Sequence, residues 1–278
     1  MINIKFYKPT SVEEACELLT QPDHLAIAGG TDMIVKLRNG MFPGARALVD
    51  LSALPWRCIS VEKERMIIGS GCTMSAVATH QAVREFFPAL AKAASSVGAA
   101  QIRNAATLGG NIANASPAGD TIPALYSLEA AVMLVGPSGR RSIAIDEFFT
   151  GPGRTASKPG ELIEGFSLPL RKTRGEFIKL GERRAHAISK INMALSVFND
   201  GQVRYRIAIG SVAPTVLRCK TAEELLEKNS GKLTPEILAQ AASLACETAR
   251  PISDIRSSKS YRKQMAGVLL KRALLAVI

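Results

Sequence analysis

Residues 101–125 read QIRNAATLGGNIANASPAGDTIPAL, and their interpretation decides the fold. A glycine pair, asparagines, threonines and an aspartate stand together among Ala, Ile and Leu. A packed core has no use for that polar mixture, and a solvent loop would not keep so many apolar side chains. Glycine permits positive φ and lets backbone N–H groups approach a ligand with no Cβ in the way. Gly109 and Gly110 therefore mark either a tight structural turn or a cradle, and this pair alone does not choose.

A second glycine pair lies upstream. HLAIAGGTDMIVKLRNG (24–40) reads as a short strand running into Gly29, Gly30, Thr31 and Asp32, followed by a helix. Successive N–H groups in such turns form concave nests that suit phosphate oxygens. The hydroxyls of Thr31 and Thr107 add hydrogen bonds to the same anion. Two glycine pairs, each with a threonine beside it, match a diphosphate gripped from both sides. Neither is GxGxxG or GxxxxGK[ST], which disfavours a Rossmann oxidoreductase or a P-loop NTPase. GxSxG and HExxH are absent as well. A chain with no self-contained catalytic constellation points to a cofactor doing the chemistry.

Composition narrows the remaining classes. The 278 residues suffice for one large domain or two modest ones, and 47% hydrophobic content is ordinary for a globular chain. No apolar run reaches the roughly 18–20 residues of a membrane span. The N-terminus has no charged-then-apolar secretory layout, so a cytoplasmic location is expected. Five scattered cysteines without a CxxC pair, and three histidines far apart in sequence, argue against a metal site built from this chain. The net charge of +11 suits an acidic cofactor or partner. With 5% aromatic residues and no RNP motif or zinc finger, specific nucleic-acid binding is not expected. Basic residues crowd the C-terminus (250–278), as a solvated helix face or as a docking face on which Arg262 and Lys263 would be exposed.

The pattern along the chain divides in two. Ser11 and Glu14 in SVEEACELL (11–19) form a capping box. ALVDLS (47–52) reads as a strand, and RCISVEKERMIIGSG (57–71) as a hairpin with Glu62 to Arg65 at its tip. Residues 75–100 have helical periodicity, with Pro88 suited to the first turn of a second helix. AAVMLVGPSGRRSIAI (130–145) is a hairpin turning on Pro137, Ser138 and Gly139; GPGRTASKPGELIEGFSLP (151–169) is a loop and then a strand. From about residue 173 three strands follow, GEFIKLGERR (175–184), KINMALSVF (190–198) and VRYRIAIGSV (203–212), the last two joined at Asn199-Asp200-Gly201. Helices finish the chain at 221–229, 234–249 and 260–277. Strands first and helices afterwards indicate an α+β domain. The boundary falls near Arg171-Lys172-Thr173, giving domains 1–172 and 173–278.

In order, AIAGGTDMIVKLRNG, IGSGCTMSAVA, QIRNAATLGGNIANASPAGDTIPAL, GELIEGFSLP and RIAIGSVAPTVLR resemble the motifs of the FAD-binding medium subunit of molybdenum hydroxylases. That family includes the flavoprotein subunits of carbon monoxide dehydrogenase and xanthine dehydrogenase. The resemblance spans nearly the whole chain. It implies an α+β fold: an N-terminal FAD-binding domain of the p-cresol methylhydroxylase type, made of two subdomains, and a C-terminal three-stranded antiparallel sheet packed by helices.

It also implies noncovalent FAD. By position, one pyrophosphate loop would be Ala28, Gly29, Gly30, Thr31, Asp32 and Met33, and the other Thr107, Leu108, Gly109, Gly110 and Asn111. Asp120 would bind ribose or ribityl hydroxyls, or else cap the following helix. Ile163 and Lys179 would lie nearer the isoalloxazine, Lys179 stabilising charge on the reduced flavin unless it is an ordinary exposed strand lysine. Asp32 sits awkwardly beside a diphosphate and would otherwise cap the next helix. No catalytic or metal-binding residue is expected on this chain.

The implied role is electron transfer. A molybdopterin-binding large subunit would hydroxylate substrate, and a small subunit with [2Fe–2S] clusters would relay electrons to FAD, in a dimer of heterotrimers. NAD+, oxygen or a quinone would take them onward. The rival enzyme reading is a freestanding FAD-dependent reductase of the UDP-N-acetylenolpyruvoylglucosamine reductase type. A basic nucleic-acid-binding protein is the rival outside enzymology.

Overall fold

The computed structural model describes residues 4–183 and 186–278. Arg184, the last residue of the stretch 175–184 read as strand, lies outside the described residues.

The first unit is small and parallel. Strands β1 (Lys5–Tyr7), β2 (His24–Ile27) and β3 (Ala47–Asp50) form a three-stranded sheet with β3 in the middle. Helix α1 (Val12–Leu18) crosses between β1 and β2, opened by Ser11, whose Oγ accepts from the Glu14 N–H at 3.2 Å. Helix α2 (Met33–Arg38) follows β2 directly after the first glycine pair. Parallel neighbours need such crossovers, which leaves the chain turning sharply at the end of β2.

The second unit is a five-stranded antiparallel sheet, order β4-β5-β10-β6-β7, comprising β4 (Ile59–Glu62), β5 (Arg65–Gly69), β6 (Ala131–Gly136), β7 (Gly139–Ala144) and β10 (Leu162–Pro169). Six short helices separate β5 from β6: α3 (Met74–Thr79), α4 (Gln81–Phe86), α5 (Pro88–Ser95), α6 (Ala100–Ala105), α7 (Leu108–Asn114) and α8 (Thr121–Ser127). Pro88 occupies the first turn of α5. Helix α9 (Ile145–Phe148) and the short pair β8 (Phe149–Gly151) and β9 (Arg154–Thr155) fill the stretch before β10, part of which reads as plain loop in the sequence.

The glycine pair of 101–125 is also not a turn. Gly109 and Gly110 lie in the first turns of α7, capped by Thr107, whose Oγ1 accepts from the Gly110 N–H at 3.0 Å. A Cβ on Gly109 would meet the Ser70 Cβ at 2.5 Å, so glycine is required there by close packing.

The C-terminal sheet runs β11 (Arg174–Leu180), β12 (Ile191–Asn199) and β13 (Val203–Gly210), all antiparallel, with a two-residue strand β14 (Leu217–Arg218) added beyond the three expected. Helices α10 (Lys220–Lys228), α11 (Pro235–Thr248) and α12 (Lys259–Val277) cover one face. Strand β12 carries the seam of the molecule, because its period-2 alternation feeds two cores. Ile191, Met193, Leu195 and Val197 pack with the helices. From the opposite face, Ala194 joins the core of the N-terminal part, and the Ser196 hydroxyl meets the Ser127 hydroxyl at 2.9 Å.

Polar groups reinforce the seam. Glu129 lies between α8 and β6, and its Oε1 accepts from Arg206 Nε on β13 at 2.6 Å while Oε2 accepts from Arg171. The Arg171 guanidinium stacks 3.7 Å over the Phe198 ring. Burial pushes the Glu129 carboxyl up, but the bonds from Arg206 and Arg171 outweigh it and hold the group below its ordinary value. A carboxyl with a depressed folded pKa contributes stability above its unfolded pKa, about 4.3, and loses that contribution as pH falls through the folded pKa. Urea midpoints should therefore fall more steeply for the native chain than for Glu129→Gln between about pH 5 and pH 3. Parallel curves would remove Glu129 from the acid response.

Candidate functional site

The turn after β2 is built to expose its backbone. Gly30 has φ +69°, a left-handed conformation that favours glycine. A Cβ on Gly29 would lie 2.6 Å from the Ala105 carbonyl carbon and closer still to its oxygen, so this turn presses directly on the end of α6. The N–H groups of Gly29, Gly30, Thr31, Asp32 and Met33 find no acceptor among the described residues. They form a run of donors at the edge of a cleft, left to water or a ligand.

That cleft has two lobes. The smaller, about 300 Å³, is lined by the first turn with Lys36, Phe42, Val97, Ile102, Asn111 and Asn114. The larger, about 500 Å³, is lined by Leu51, Trp56, Arg57, Ser70, Leu162 and Ile163 among others. Ala28, Gly29, Thr107 and Gly110 line both, so the two glycine pairs meet where the lobes join.

The second pair contributes differently from the expected amide grip. The N–H of Leu108 donates to Cys72 O at 2.9 Å and that of Gly109 to Ser70 O at 2.8 Å. Gly110 donates to Thr107 Oγ1 and Asn111 to Thr107 O, so these four amides are engaged within the protein. What remains toward the cleft is the Thr107 hydroxyl hydrogen and the Asn111 amide, whose Oδ1 already accepts from Thr121 Oγ1 at 2.7 Å. Leu108 is fully buried and lines neither lobe.

The remaining sequence candidates separate. Met33 and Asp32 line the smaller lobe; Asp32 is at the start of α2 but its side chain makes no cap bond. Ile163 lines the larger lobe, whereas Lys179 lines neither, so the structure does not bring these two together. Lys179 is not an exposed strand lysine. Its ammonium donates to Asp120 Oδ2 at 2.5 Å and to Ser96 O at 3.1 Å, next to Val97 of the smaller lobe. Asp120 in turn accepts from Ser189 Oγ at 2.7 Å and Asn192 Nδ2 at 3.0 Å on Oδ1. With three donors on its carboxylate, Asp120 does not cap α8, and little acceptor capacity is left for sugar hydroxyls. Arg262 is likewise not a surface residue: it is 2% exposed and bonded to Asp254 Oδ1 at 2.6 Å, because α12 turns that face onto the loop before it.

Several lining residues were not anticipated. Lys36 is the one lysine or arginine lining the smaller lobe among the described residues, four residues after Asp32, and its ammonium donates to Asn114 Oδ1. Its spacing from the glycine pair was the available signal. Trp56 and Arg57 precede a hairpin and carry no motif; Ser70 and Gly71 fall within IGSGCT. Glu161 lines the larger lobe and accepts a fork from Arg141, with both bonds at 2.8 Å, which holds that carboxyl below its ordinary value. Burial pushes the Cys72 thiol up to about 11, so beside the cleft it stays protonated and unreactive.

A bilobed cleft with free amides running from its waist and a lysine in its smaller lobe suits a ligand made of two ring systems joined by a diphosphate. Comparisons with known proteins agree. The family described as "FAD binding domain in molybdopterin dehydrogenase" matches residues 2–171, and "CO dehydrogenase flavoprotein C-terminal domain" matches residues 176–277. The chain is 31% identical to a nicotinate dehydrogenase FAD-subunit of Eubacterium barkeri, covering 100% of this chain and 97% of that one. It is 32% identical to a carbon monoxide dehydrogenase medium chain of Hydrogenophaga pseudoflava, covering 97% and 95%. A solved structure of carbon monoxide dehydrogenase from the latter organism superposes with a TM-score of 0.92 at 31% identity, over 99% of this chain and 97% of that chain. Agreement in motif order, fold and full-length coverage leaves one assignment: the chain belongs to the family of FAD-binding subunits of molybdenum hydroxylases.

Proposed function

We propose that residues 1–172 form the FAD-binding domain and residues 173–278 a domain that clamps it, and that the cleft holds one noncovalent FAD. The run of unsatisfied N–H groups from Gly29, at the waist of a bilobed cleft, to Met33 in its smaller lobe carries this reading. Those amides and the Lys36 ammonium would hold the diphosphate, with the Thr107 hydroxyl and Asn111 amide completing the grip. Ala28, Gly29, Gly109 and Gly110 keep the first turn and the start of α7 close enough to share it, and Leu108 anchors α7 from beneath. Ile163, which lines the larger lobe, would wall one of the ring systems. Asp120 fixes Lys179, which places a cation behind the smaller lobe. When bound, FAD supplies a redox centre that exchanges electrons between [2Fe–2S] clusters and a terminal acceptor such as NAD+, oxygen or a quinone.

The substrate chemistry would reside elsewhere. Relatives named "FAD-subunit" and "medium chain" are parts of larger enzymes. By analogy, a large subunit carries molybdopterin and a small one the iron–sulfur clusters, assembled as a dimer of heterotrimers in the cytoplasm. Titration of the purified chain with FAD, followed by flavin fluorescence, should reach an end point at one equivalent. FMN, which lacks the second ring system, should bind at least about tenfold more weakly, a difference of about 1.4 kcal/mol. Absence of saturable FAD binding by folded protein would overturn the proposal. Reduction of the FAD-loaded chain by NADPH with turnover of UDP-N-acetylenolpyruvoylglucosamine, and no association with other subunits, would instead favour the freestanding reductase.

A further inference from the structure

A separate cavity of about 200 Å³ lies between the N-terminal and C-terminal parts. Three arginines line it, Arg250, Arg256 and Arg262, against apolar walls that include Pro117, Pro152 and Pro214. Asp254 is the carboxylate bonded to two of these arginines. It takes Arg256 Nε at 3.0 Å and Nη2 at 2.6 Å, and Arg262 Nη2 at 2.6 Å. Three cations against one anion leave the cluster with an excess of two positive charges.

The donors are not all used. The side chain of Arg262 is 3% exposed, yet its Nε is buried without an acceptor among the described residues. Arg250 bonds only through Nη1, to the carbonyls of Glu247 and Ala249, and Arg256 Nη1 has no acceptor among the described residues. The Arg262 Nε is closed off from the cavity, so the donors an occupant can reach are the unused N–H groups of Arg250, which is exposed, and of Arg256, whose side chain is 37% exposed; these carry the cluster's excess charge. Arginine forks match planar carboxylates. Of the two hydroxyls in the lining, that of Ser211 already donates to Ser189 O at 3.3 Å, so beyond the arginines a phosphate would meet the Ser116 hydroxyl and proline walls that offer no N–H, whereas a carboxylate presents two oxygens at one end and an apolar stem at the other.

We infer that this cavity is a carboxylate-binding site, taking a carboxylate on a short apolar stem with its oxygens on the arginines and its stem against the prolines. The carboxylate is either a free small acid or a Glu or Asp side chain of another protein. Ser116 and Pro152 of this cavity adjoin Asn114 and Gly153 of the smaller lobe along the chain, so an occupant would sit beside the flavin cleft.

The test is a titration of the full chain with propionate, read on the arginine Nε–H resonances by NMR, with inorganic phosphate as the competing probe. Propionate should shift these signals saturably and phosphate should not. Arg250→Gln and Arg256→Gln should each weaken propionate by about tenfold, the scale of a charge-assisted bond. Ala213→Met keeps every charge but fills the cavity, and should abolish saturation. Equal binding of phosphate, persistence in Ala213→Met, or no saturable shift in the native chain would overturn the assignment. Repeating the titration on the chain in its isolated assembly, by propionate-dependent thermal midpoint, separates the sources. Loss of the response there identifies a side chain as the occupant, and its retention a free acid.

Discussion

Gly29→Ala should weaken FAD binding by about a hundredfold or more, about 2.7 kcal/mol, while leaving a folded protein. The added Cβ has nowhere to go: it would fall 2.6 Å from the Ala105 carbonyl carbon, part of the backbone, which cannot yield like the tip of a flexible side chain. The turn after β2 must then back away from the end of α6, and with it the N–H groups of Gly29 to Met33. Several hydrogen bonds to one diphosphate depend on that register together, so a shift of a few tenths of an ångström loses more than one of them. Gly44→Ala is the matched control, since a Cβ there meets nothing within 4 Å. Fluorescence titration gives affinity, and urea denaturation confirms that both variants fold. Native-like affinity in folded Gly29→Ala would mean that the diphosphate is not held at this turn.

The contrast between the two glycine pairs explains how far the sequence could be read. Gly30 is legible because its demand is local: a strand ends, a helix begins, and the residue between them must take positive φ, whereas Gly29 answers to the Ala105 backbone, seventy-six residues later. The helical setting of Gly109-Gly110 is not legible, because the glycine requirement at Gly109 comes from Ser70, thirty-nine residues earlier, and no periodicity carries that information. The C-terminal strands were legible from alternation and from Asn199-Asp200-Gly201, whose Asn199 Oδ1 accepts from the Gly201 N–H at 3.0 Å. The two-residue β14 is too short to show a period. The motifs pointed to Asp120 and Lys179 as single residues, but their partnership with Ser189 and Asn192 arises only when β11 and β12 pair and dock on α8. Register puts Lys179 directly opposite Asn192, so both reach one carboxylate. The buried position of Arg262 was hidden for the same reason, since Asp254 lies on a loop that only the fold brings back to α12.

Asp120→Ala should be the most destabilising of these substitutions, costing about 3–5 kcal/mol, because it strands a buried cation. The Asp120 side chain is 7% exposed and that of Lys179 15%, so little water is available to replace the missing carboxylate. Ser189 and Asn192 lose their acceptor in the same step. Lys179→Met should cost less, since the carboxylate keeps those two donors and the new side chain fills similar volume. In Asp120→Leu/Lys179→Met both charges are gone, and the loss should be smaller than the sum of the single losses measured for Asp120→Leu and Lys179→Met. Because Asp120 belongs to the N-terminal part and its three partners to β11, β12 and the segment between them, the defect should weaken coupling between the two parts. Urea unfolding of Asp120→Ala should then broaden or split into two transitions where the native chain gives one, with a lower apparent m. Additive single losses, or a sharp unshifted transition in Asp120→Ala, would show that the pair does not hold the two parts together. The role of Lys179 behind the smaller lobe would then need another support.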